Sequence, residues 1–117
     1  MYLIKQAGKY AKKGERRVFL LGAIGIRADG ATVHAHNHSV KFPTPTAHAE
    51  IRLLKKLGMD AELVVVARIA LNDGGYRMSK PCKNCDSALK NARVKKIVYS
   101  TGPNSFETMK LVNGEYI

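Results

Sequence analysis

Two short segments decide how the rest of the chain is interpreted: Pro43-Thr44-Pro45-Thr46-Ala47-His48-Ala49-Glu50 and Pro81-Cys82-Lys83-Asn84-Cys85. They contain an imidazole, a carboxylate two residues later and two thiols with two residues between them. Zinc in a catalytic site takes three protein ligands and keeps a fourth position for water. His48, Cys82 and Cys85 supply three ligands, so we predict an open zinc site rather than a closed structural one.

The ligands are expected at the starts of two helices. Cys82 and Cys85 are three positions apart, so a helix that starts at Pro81 projects both sulfurs from one face. Residues 47–57 indicate a second helix, with His48 and Glu50 in its first turn. A helix N-terminus favours thiolate over thiol, and the thiolate is the form that binds metal. We therefore predict that two helix N-termini meet at the zinc.

The spacing H-x-E followed by P-C-x-x-C is similar to the signature of the zinc-dependent nucleobase deaminases. Zinc lowers the pKa of a bound water to roughly 7, and attack on the base also requires proton transfers. Glu50 is adjacent to a ligand but has no place in the ligand set. We therefore predict that Glu50 is the catalytic residue that moves these protons.

Resemblance to known families extends over most of residues 1–100. The segment 45–50 resembles the tRNA adenosine deaminases, whereas Ser79 to Cys82 and Ile97 to Thr101 look like the CMP/dCMP deaminase family. The order helix, two strands, helix, strand, helix, strand is similar to the cytidine deaminase-like fold. This resemblance implies a three-layer α/β/α arrangement with a central mixed β-sheet, and the length of 117 residues fits one α/β domain over residues 1–117.

Hydrophobic periodicity and turn residues supply the expected elements. Two strands flank the hairpin turn Asp29-Gly30, and Arg68 interrupts a near-continuous apolar strand that needs burial on both faces. The predicted bounds are a helix over 2–13 that ends at Gly14, strands over 17–27 and 31–38, a strand over 62–71, a loop over 72–80 and a strand over 94–100.

Several residues near the two motifs are candidates for substrate contact. The resemblance to the tRNA enzymes implies that Asn37 bonds the sugar or the base, and the ring of Phe42 offers a surface for stacking. Phe42 could equally be a loop hydrophobe under the sheet, and Tyr76 and Arg77 could be ordinary loop residues. The predicted substrate-binding set is Asn37, Phe42, Ala49, Tyr76, Arg77, Ser79 and Pro81.

His34, His36 and His38 alternate along one strand and therefore share a face. They could form a second metal site or supply a fourth ligand to the first. We favour neither, because rings in a row along an extended strand do not converge on one ion.

The formal charge of +11 comes from 20 Lys and Arg against 9 Asp and Glu. This excess favours an anionic partner, either a nucleotide or a single-stranded nucleic acid, although a solvated basic surface gives the same count. The apolar stretches are too short to span a membrane, and the N-terminal stretch does not resemble a signal peptide. We therefore expect a cytoplasmic protein whose two cysteines bind metal, with homo-oligomer formation left open.

After Thr101 only 16 residues remain, and we expect these to be too few for a long closing helix and a full fifth strand. Residues 106–117 are compatible with a hairpin or with a short helix and a terminal strand. The downstream resemblance favours cytosine over adenine as the substrate base. Two alternatives stay open: a zinc module that binds nucleic acid without catalysis, and a thiol-disulfide oxidoreductase.

Overall fold

A computed structural model describes residues 3–7, 19–36, 49–70, 75–103 and 105–117. These ranges contain seven strands and three helical segments. In order they are α1 (3–7), β1 (Phe19–Ile26), β2 (Thr32–His36), α2 (Ala49–Leu57), β3 (Leu63–Ala70), β4 (Tyr76–Arg77), α3 (Lys83–Asn91), β5 (Lys96–Gly102), β6 (Ser105–Val112) and β7 (Glu115–Tyr116). The described part of the chain contains no helix long and apolar enough to cross a membrane.

The strands form one mixed sheet in the order β2-β1-β3-β5-β6-β7, and β4 pairs with the end of β3. Only β3 and β5 run parallel among the paired strands of the described chain. This pair flanks α3, as a strand-helix-strand crossover requires. The predicted α/β fold with a central mixed sheet is confirmed.

Helices cover both faces of the sheet, which gives the predicted three layers. On one face, α2 and α3 bury Leu53, Leu57 and Leu89 against a cluster that includes Val64, Val66, Ile97 and Tyr99. On the other face, α1 packs Ile4 and Ala7 against Ile24, Val65, Ala67 and Val98. Residues 64–67 of β3 are all fully buried. The apolar run of β3 therefore packs against helices on both faces of the sheet, as its sequence indicates.

The β1–β2 hairpin is confirmed, with Gly22 to Ile26 in antiparallel register with Thr32 to His36. Asp29 Oδ1 accepts a hydrogen bond of 3.0 Å from Ala31 N, and Gly30 adopts φ +91°. Asp-Gly suits this turn because Asp can bond the backbone two residues on and Gly tolerates a positive φ.

Gly25 on β1 lets α2 approach the sheet closely. A Cβ atom at this position would lie 2.7 Å from Leu57 Cδ1 and 3.2 Å from Leu53 Cδ2. The small residue thus lets the two leucines that anchor α2 lie directly on the strand backbone. This contact contributes to the position of the helix that begins at Ala49.

The predicted loop over 72–80 is wrong at Tyr76 and Arg77, which form β4. Parallel pairing between β3 and β5 extends from Val64↔Ile97 to Val66↔Tyr99. Beyond it, Arg68 and Ile69 pair with β4. Backbone groups of a buried strand need partners, and β4 supplies them beyond Val66, where the pairing of β3 with β5 ends. A two-residue strand carries too little periodicity to be recognised in sequence.

The chain after Thr101 forms the hairpin alternative, and the prediction that it is too short for a full fifth strand is wrong. β6 has eight residues and pairs antiparallel with β5 from Lys96↔Lys110 to Gly102↔Ser105. Asn113 and Gly114 turn the chain into β7 with φ +51° and +81°. Antiparallel pairing needs only a short connection, so no crossover helix is required and the residues suffice.

Candidate metal centre and active site

The first turns of α2 and α3 bring together three of the predicted site residues. Ala49 and Glu50 open α2 and are buried, with Glu50 only 2% exposed. Cys85 lies in the first turn of α3 and is fully buried, whereas Cys82 is exposed. Glu50 and Cys82 both lie within hydrogen-bonding reach of the Cys85 thiol. The two helix N-termini therefore meet, as their sequences predict.

The helix start at Pro81 is corrected by the structure, since α3 begins at Lys83 and Cys82 is its N-cap. Cys82 has extended dihedrals, φ −67° and ψ 170°, and its side chain does not cap the helix. Its carbonyl accepts the 2.8 Å hydrogen bond from Asp86 N. Pro81 is buried just before this position. Cys82 thus sits on the edge of the helix rather than on the face of its first turn.

Glu50 has an unusual environment for a carboxylate. Its Oε1 atom is buried and has no hydrogen-bond partner among the described residues. Burial raises the pKa of Glu50 above its ordinary value of 4.5, and its own backbone N–H, the Cys85 thiol and the Arg68 guanidinium partly offset this rise. An unsatisfied buried carboxylate oxygen costs free energy in a purely structural role, so its position favours a functional one.

The donor chemistry at this site fits a divalent cation. Burial raises the pKa of the Cys85 thiol, and the neighbouring Glu50 and Cys82 raise it further. Groups that repel one another as anions become compatible when a cation lies among them. Two thiols beside an orphaned carboxylate oxygen therefore match a zinc site with Cys82 and Cys85 as ligands.

The third predicted ligand, His48, lies outside the described residues. Within the described ranges, no group of three or more His, Cys, Asp or Glu side chains is arranged to hold a metal. The site can therefore be assessed from the pair of thiols and Glu50 only, and His48 stays a prediction.

Arg68 is a site residue that the sequence marks only as an interruption of β3. It follows Val64 and Val66 on the face covered by α2 and α3, and its charge acts on Glu50. Its backbone N–H donates to Ser100 Oγ at 3.2 Å. The signal was a charge in a buried strand, which requires a partner, but the sequence does not say which partner.

Ser79 and Ser100 fix the segment that leads into Cys82. Ser79 N donates to Ser100 O at 2.8 Å, and Ser79 Oγ accepts from Ser100 N at 2.8 Å and donates to Val66 O at 2.9 Å. The two hydroxyl oxygens are 2.9 Å apart, and both residues are buried. The Ser79 side chain thus fills the gap where β3 and β5 cease to pair. Contact between Ser79 and substrate stays a prediction.

The remaining predicted substrate contacts divide by position. Tyr76 packs with the cluster beneath α1, against Ile69, so the structure does not bring it together with Glu50. Arg77 lies opposite Arg68 in the β3–β4 register. Asn37 and Phe42 lie outside the described residues. Substrate binding by each of these residues stays a prediction.

His34 and His36 lie apart from the thiols. Val33 and Ala35 pack into the cluster beneath α2 and α3, so strand alternation places His34 and His36 on the opposite face. Their backbone carbonyls accept hydrogen bonds from Lys56 Nζ at 2.8 Å and Arg52 NH1 at 2.9 Å. From this face neither imidazole can be a fourth ligand for Cys82 and Cys85. His38 is outside the described residues.

The geometry of the site agrees with a comparison to known families. Residues 1–101 match the family described as the cytidine and deoxycytidylate deaminase zinc-binding region. The chain belongs to this family. The matched range contains both motifs and ends within β5.

Relatives of this deaminase family member differ in their named substrates. The tRNA-specific adenosine deaminase of Aquifex aeolicus is 29% identical over 100 residues, which cover 85% of this chain and 64% of that protein. The aligned region is thus less than two thirds of that relative.

Solved structures show the same fold. Cytidine deaminase from Burkholderia pseudomallei superposes with a TM-score of 0.68 at 15% identity, over 93% of this chain and 90% of that one. The enzyme from Mycobacterium leprae gives 0.64 at 20% identity, over 92% and 90%.

Proposed function

We propose that the chain is a zinc-dependent hydrolytic deaminase that converts cytosine to uracil in a nucleotide or a single-stranded nucleic acid. The observation that carries this proposal is the buried Oε1 atom of Glu50, which has no hydrogen-bond partner among the described residues and lies beside the Cys85 thiol at the meeting point of two helix N-termini. Membership of a zinc-binding deaminase family supports it. We further propose that residues 1–117 act as one domain in the cytoplasm.

In this proposal His48, Cys82 and Cys85 hold the zinc ion. When bound, zinc supplies Lewis-acid activation of water near neutral pH. Glu50 accepts the proton that the attacking water loses and donates it to the ring nitrogen of the base. As the C–N bond breaks, the same carboxylate carries the proton of the newly formed hydroxyl group on the base to the amine, which leaves as ammonia while the C=O bond forms. Burial raises the pKa of Glu50, and so favours the protonated form from which the carboxyl group donates a proton.

The residues around Glu50 have supporting roles in the proposed reaction. The Arg68 guanidinium favours the ionised form of Glu50 and so acts against the rise in its pKa that burial causes. Burial of Ala49 and Pro81 excludes water from the base of the site. Asn37, Phe42, Tyr76, Arg77 and Ser79 remain proposed substrate contacts.

Adenine is the second candidate base, because the tRNA-specific adenosine deaminase of Aquifex aeolicus is 29% identical over 100 residues. A zinc module without catalysis is less well supported. It would leave the buried Glu50 carboxylate without a role, and it would need a fourth ligand that neither His34 nor His36 can supply from their face of the sheet.

A panel assay tests the proposal. Zinc-loaded protein is incubated with cytidine, CMP, dCMP, adenosine, single-stranded DNA and single-stranded RNA, and the products are analysed by mass spectrometry for the mass increase of about one dalton when an amine becomes a carbonyl. We expect turnover of a cytosine substrate. Turnover of adenine alone would reassign the base, and no turnover of any member by zinc-loaded protein would contradict the deaminase.

Glu50→Gln keeps the shape of the side chain but removes its ability to move protons. We expect it to retain the fold and the zinc while turnover falls by about 10⁴-fold, the upper end for one acid-base group. Activity is measured on the substrate that the panel identifies, and zinc by elemental analysis of the same sample. Normal turnover by this variant would show that another group moves the protons.

A further inference from the structure

The outer part of the sheet presents an exposed face on the α1 side. Met109 packs beneath α2 and α3 with Ile97, so alternation along β6 places Phe106, Thr108 and Lys110 on the opposite face. All three are exposed. Val98, the cross-strand neighbour of Thr108, is buried under α1. The cover that α1 provides therefore ends between β5 and β6, and we call Lys96, Phe106, Thr108 and Lys110 the β6 face.

Two lysines stand side by side on the β6 face. Lys96 and Lys110 are directly opposite in the β5–β6 register. Lys110 uses both its backbone N–H and its carbonyl to bond Ile117, at 2.9 and 3.0 Å, so it forms a non-hydrogen-bonded pair with Lys96. In such pairs the Cα atoms approach to about 4.5 Å. Like charges at this position destabilise a sheet, and an anion between them removes that cost.

The glutamates of β6 and β7 contact residues other than Lys96 and Lys110. Glu107 Oε2 accepts a 2.8 Å hydrogen bond from Tyr99 OH, and Glu115 Oε2 bonds Lys90 Nζ of α3 at 2.7 Å. The neighbouring Lys95 is paired with Glu62 at 2.9 Å. Lys96 and Lys110 form no ion pair with any described residue. Their combined charge is therefore directed to solvent.

An aromatic ring lies on the same face as the two lysines. Phe106 is 47% exposed and is four residues from Lys110, a distance of about 14 Å along a strand that rises about 3.4 Å per residue. Stacked nucleotides repeat at about 3.4 Å, so this distance corresponds to about four of them. A nucleic acid strand carries both flat bases and phosphates, so one strand can contact the Phe106 ring and the Lys96–Lys110 pair at the same time.

We infer that the β6 face binds single-stranded nucleic acid, with a base stacked on Phe106 and a phosphate held between Lys96 and Lys110. Base stacking on an exposed ring beside a positively charged track is the usual means of binding single strands without sequence preference. This inference goes beyond the proposed function, because it assigns a second surface that requires neither zinc chemistry nor turnover.

The test measures binding of a fluorescein-labelled oligonucleotide of about fifteen thymidines by anisotropy, because thymine has no exocyclic amino group and cannot be deaminated during the measurement. We expect Phe106→Ala to weaken binding by roughly 5- to 150-fold and Phe106→Tyr to retain it. Lys110→Gln should reduce the slope of log affinity against log salt by about 0.7, the contribution of one phosphate contact.

Lys55→Gln is the matched control, since Lys55 is an exposed lysine on α2, on the other side of the sheet. It removes the same charge and should leave most of the affinity. Thermal unfolding at low salt gives a second measurement, in which Lys110→Gln should unfold at a higher temperature than the parent protein because the repulsion with Lys96 is gone.

Three results would overturn the inference. They are unchanged binding by both Phe106→Ala and Lys110→Gln, an equal loss with Lys55→Gln, and competition by polyglutamate or duplex DNA as effective as that by the single strand. None of them bears on deamination, which the panel assay measures separately.

Discussion

The buried pair Ser79 and Ser100 forms a closed set of hydrogen bonds. When the Ser79 hydroxyl donates to Val66 O, the Ser100 hydroxyl donates to Ser79 Oγ and accepts from Arg68 N. Ser79 Oγ also accepts from Ser100 N. Each hydroxyl donor and acceptor therefore has a partner. Since Cys82 follows three residues after Ser79, this pair contributes to the position of one proposed ligand.

Ser79→Ala removes a hydroxyl from this set and leaves buried backbone groups of Val66 and Ser100 without it. We expect the free energy of unfolding to fall by about 1–3 kcal/mol, measured by urea denaturation. Zinc affinity, measured by competition with a chromophoric chelator, should fall as well.

Thr101→Val is the control for the serine pair, since it removes an exposed hydroxyl that bonds Ser105 at 2.6 Å. Its effect should stay within about 0.5 kcal/mol. Equal losses in Ser79→Ala and Thr101→Val would contradict the assigned role of the pair.

The positions of Glu50 and the two cysteines at two helix starts could be predicted from sequence, whereas their roles stay predictions. Glu50 and the two cysteines belong to short motifs, and each motif falls at one helix start. Arg68 and Ser100 are 32 positions apart and meet only because β3 and β5 lie side by side. No local sequence pattern encodes the contact between Arg68 and Ser100. The sequence therefore shows that β3 contains a charged residue but not which residues surround it.

At the scale of elements, the contact between β1 and α2 depends on Gly25. Gly25→Ala would place a Cβ atom 2.7 Å from Leu57 Cδ1, and overpacking of this kind costs about 1–3 kcal/mol. We expect a lower urea midpoint.

Leu57→Val removes the clashing Cδ1 atom and provides the control for Gly25→Ala. In the double variant, Gly25→Ala should therefore cost less than it does alone, which a double-mutant cycle measures as coupling. Strictly additive effects would rule out the contact as the cause.

The C-terminal hairpin is attached to the α3–β5 connection by Tyr116, whose OH donates to Val94 O at 2.8 Å. Burial raises the pKa of Tyr116 to about 12, and Asp86 adds to the rise. A raised pKa means that the folded state disfavours the ionised phenol. The contribution of Tyr116 to stability is thus fully present at a pH below its ordinary pKa of 10. It is lost as the pH rises from 10 to about 12.

Tyr116→Phe should cost about 1 kcal/mol at neutral pH through the lost hydrogen bond. The difference in unfolding free energy between the variant and the parent should shrink as the pH rises from about 10 to about 12. Urea denaturation at several pH values measures this difference. If the difference in unfolding free energy stays constant over that range, ionisation of the Tyr116 phenol does not change the folding equilibrium.

Long, strongly patterned elements were predictable and short ones were not. The apolar run of β3 and the Asp-Gly hairpin follow directly from side-chain patterns, whereas β4 pairs with Arg68 and Ile69 beyond the last paired residues of β3 and β5. The first residue of α3 differs by two from its prediction, because proline in the sequence marks a helix start only approximately.

At the scale of the whole molecule, zinc should act as a folding ligand. The thiols and Glu50 repel one another as anions, and a bound cation removes that repulsion. At a zinc concentration about 1,000-fold above the dissociation constant, binding adds about 4 kcal/mol to stability. We expect one zinc per chain by elemental analysis and a lower unfolding temperature after chelation.

Cys85→Ser is the matched variant for zinc removal. It should lose both the zinc and the response to chelator, whereas Glu50→Gln should retain both. A parent protein that carries no stoichiometric zinc after purification without chelator would contradict the metal site.

The strand order has a consequence for the path by which the chain folds. The pairs β1–β2, β5–β6 and β6–β7 join neighbours in sequence through short turns, while β3 pairs with β1 and β5 across much longer stretches of chain. Loop closure costs more entropy as the stretch lengthens, and non-local pairing slows folding. We therefore expect the two terminal hairpins to form first and the insertion of β3 between them to limit the folding rate. The strand that carries Arg68 would then complete the sheet and the floor of the proposed active site in the same step.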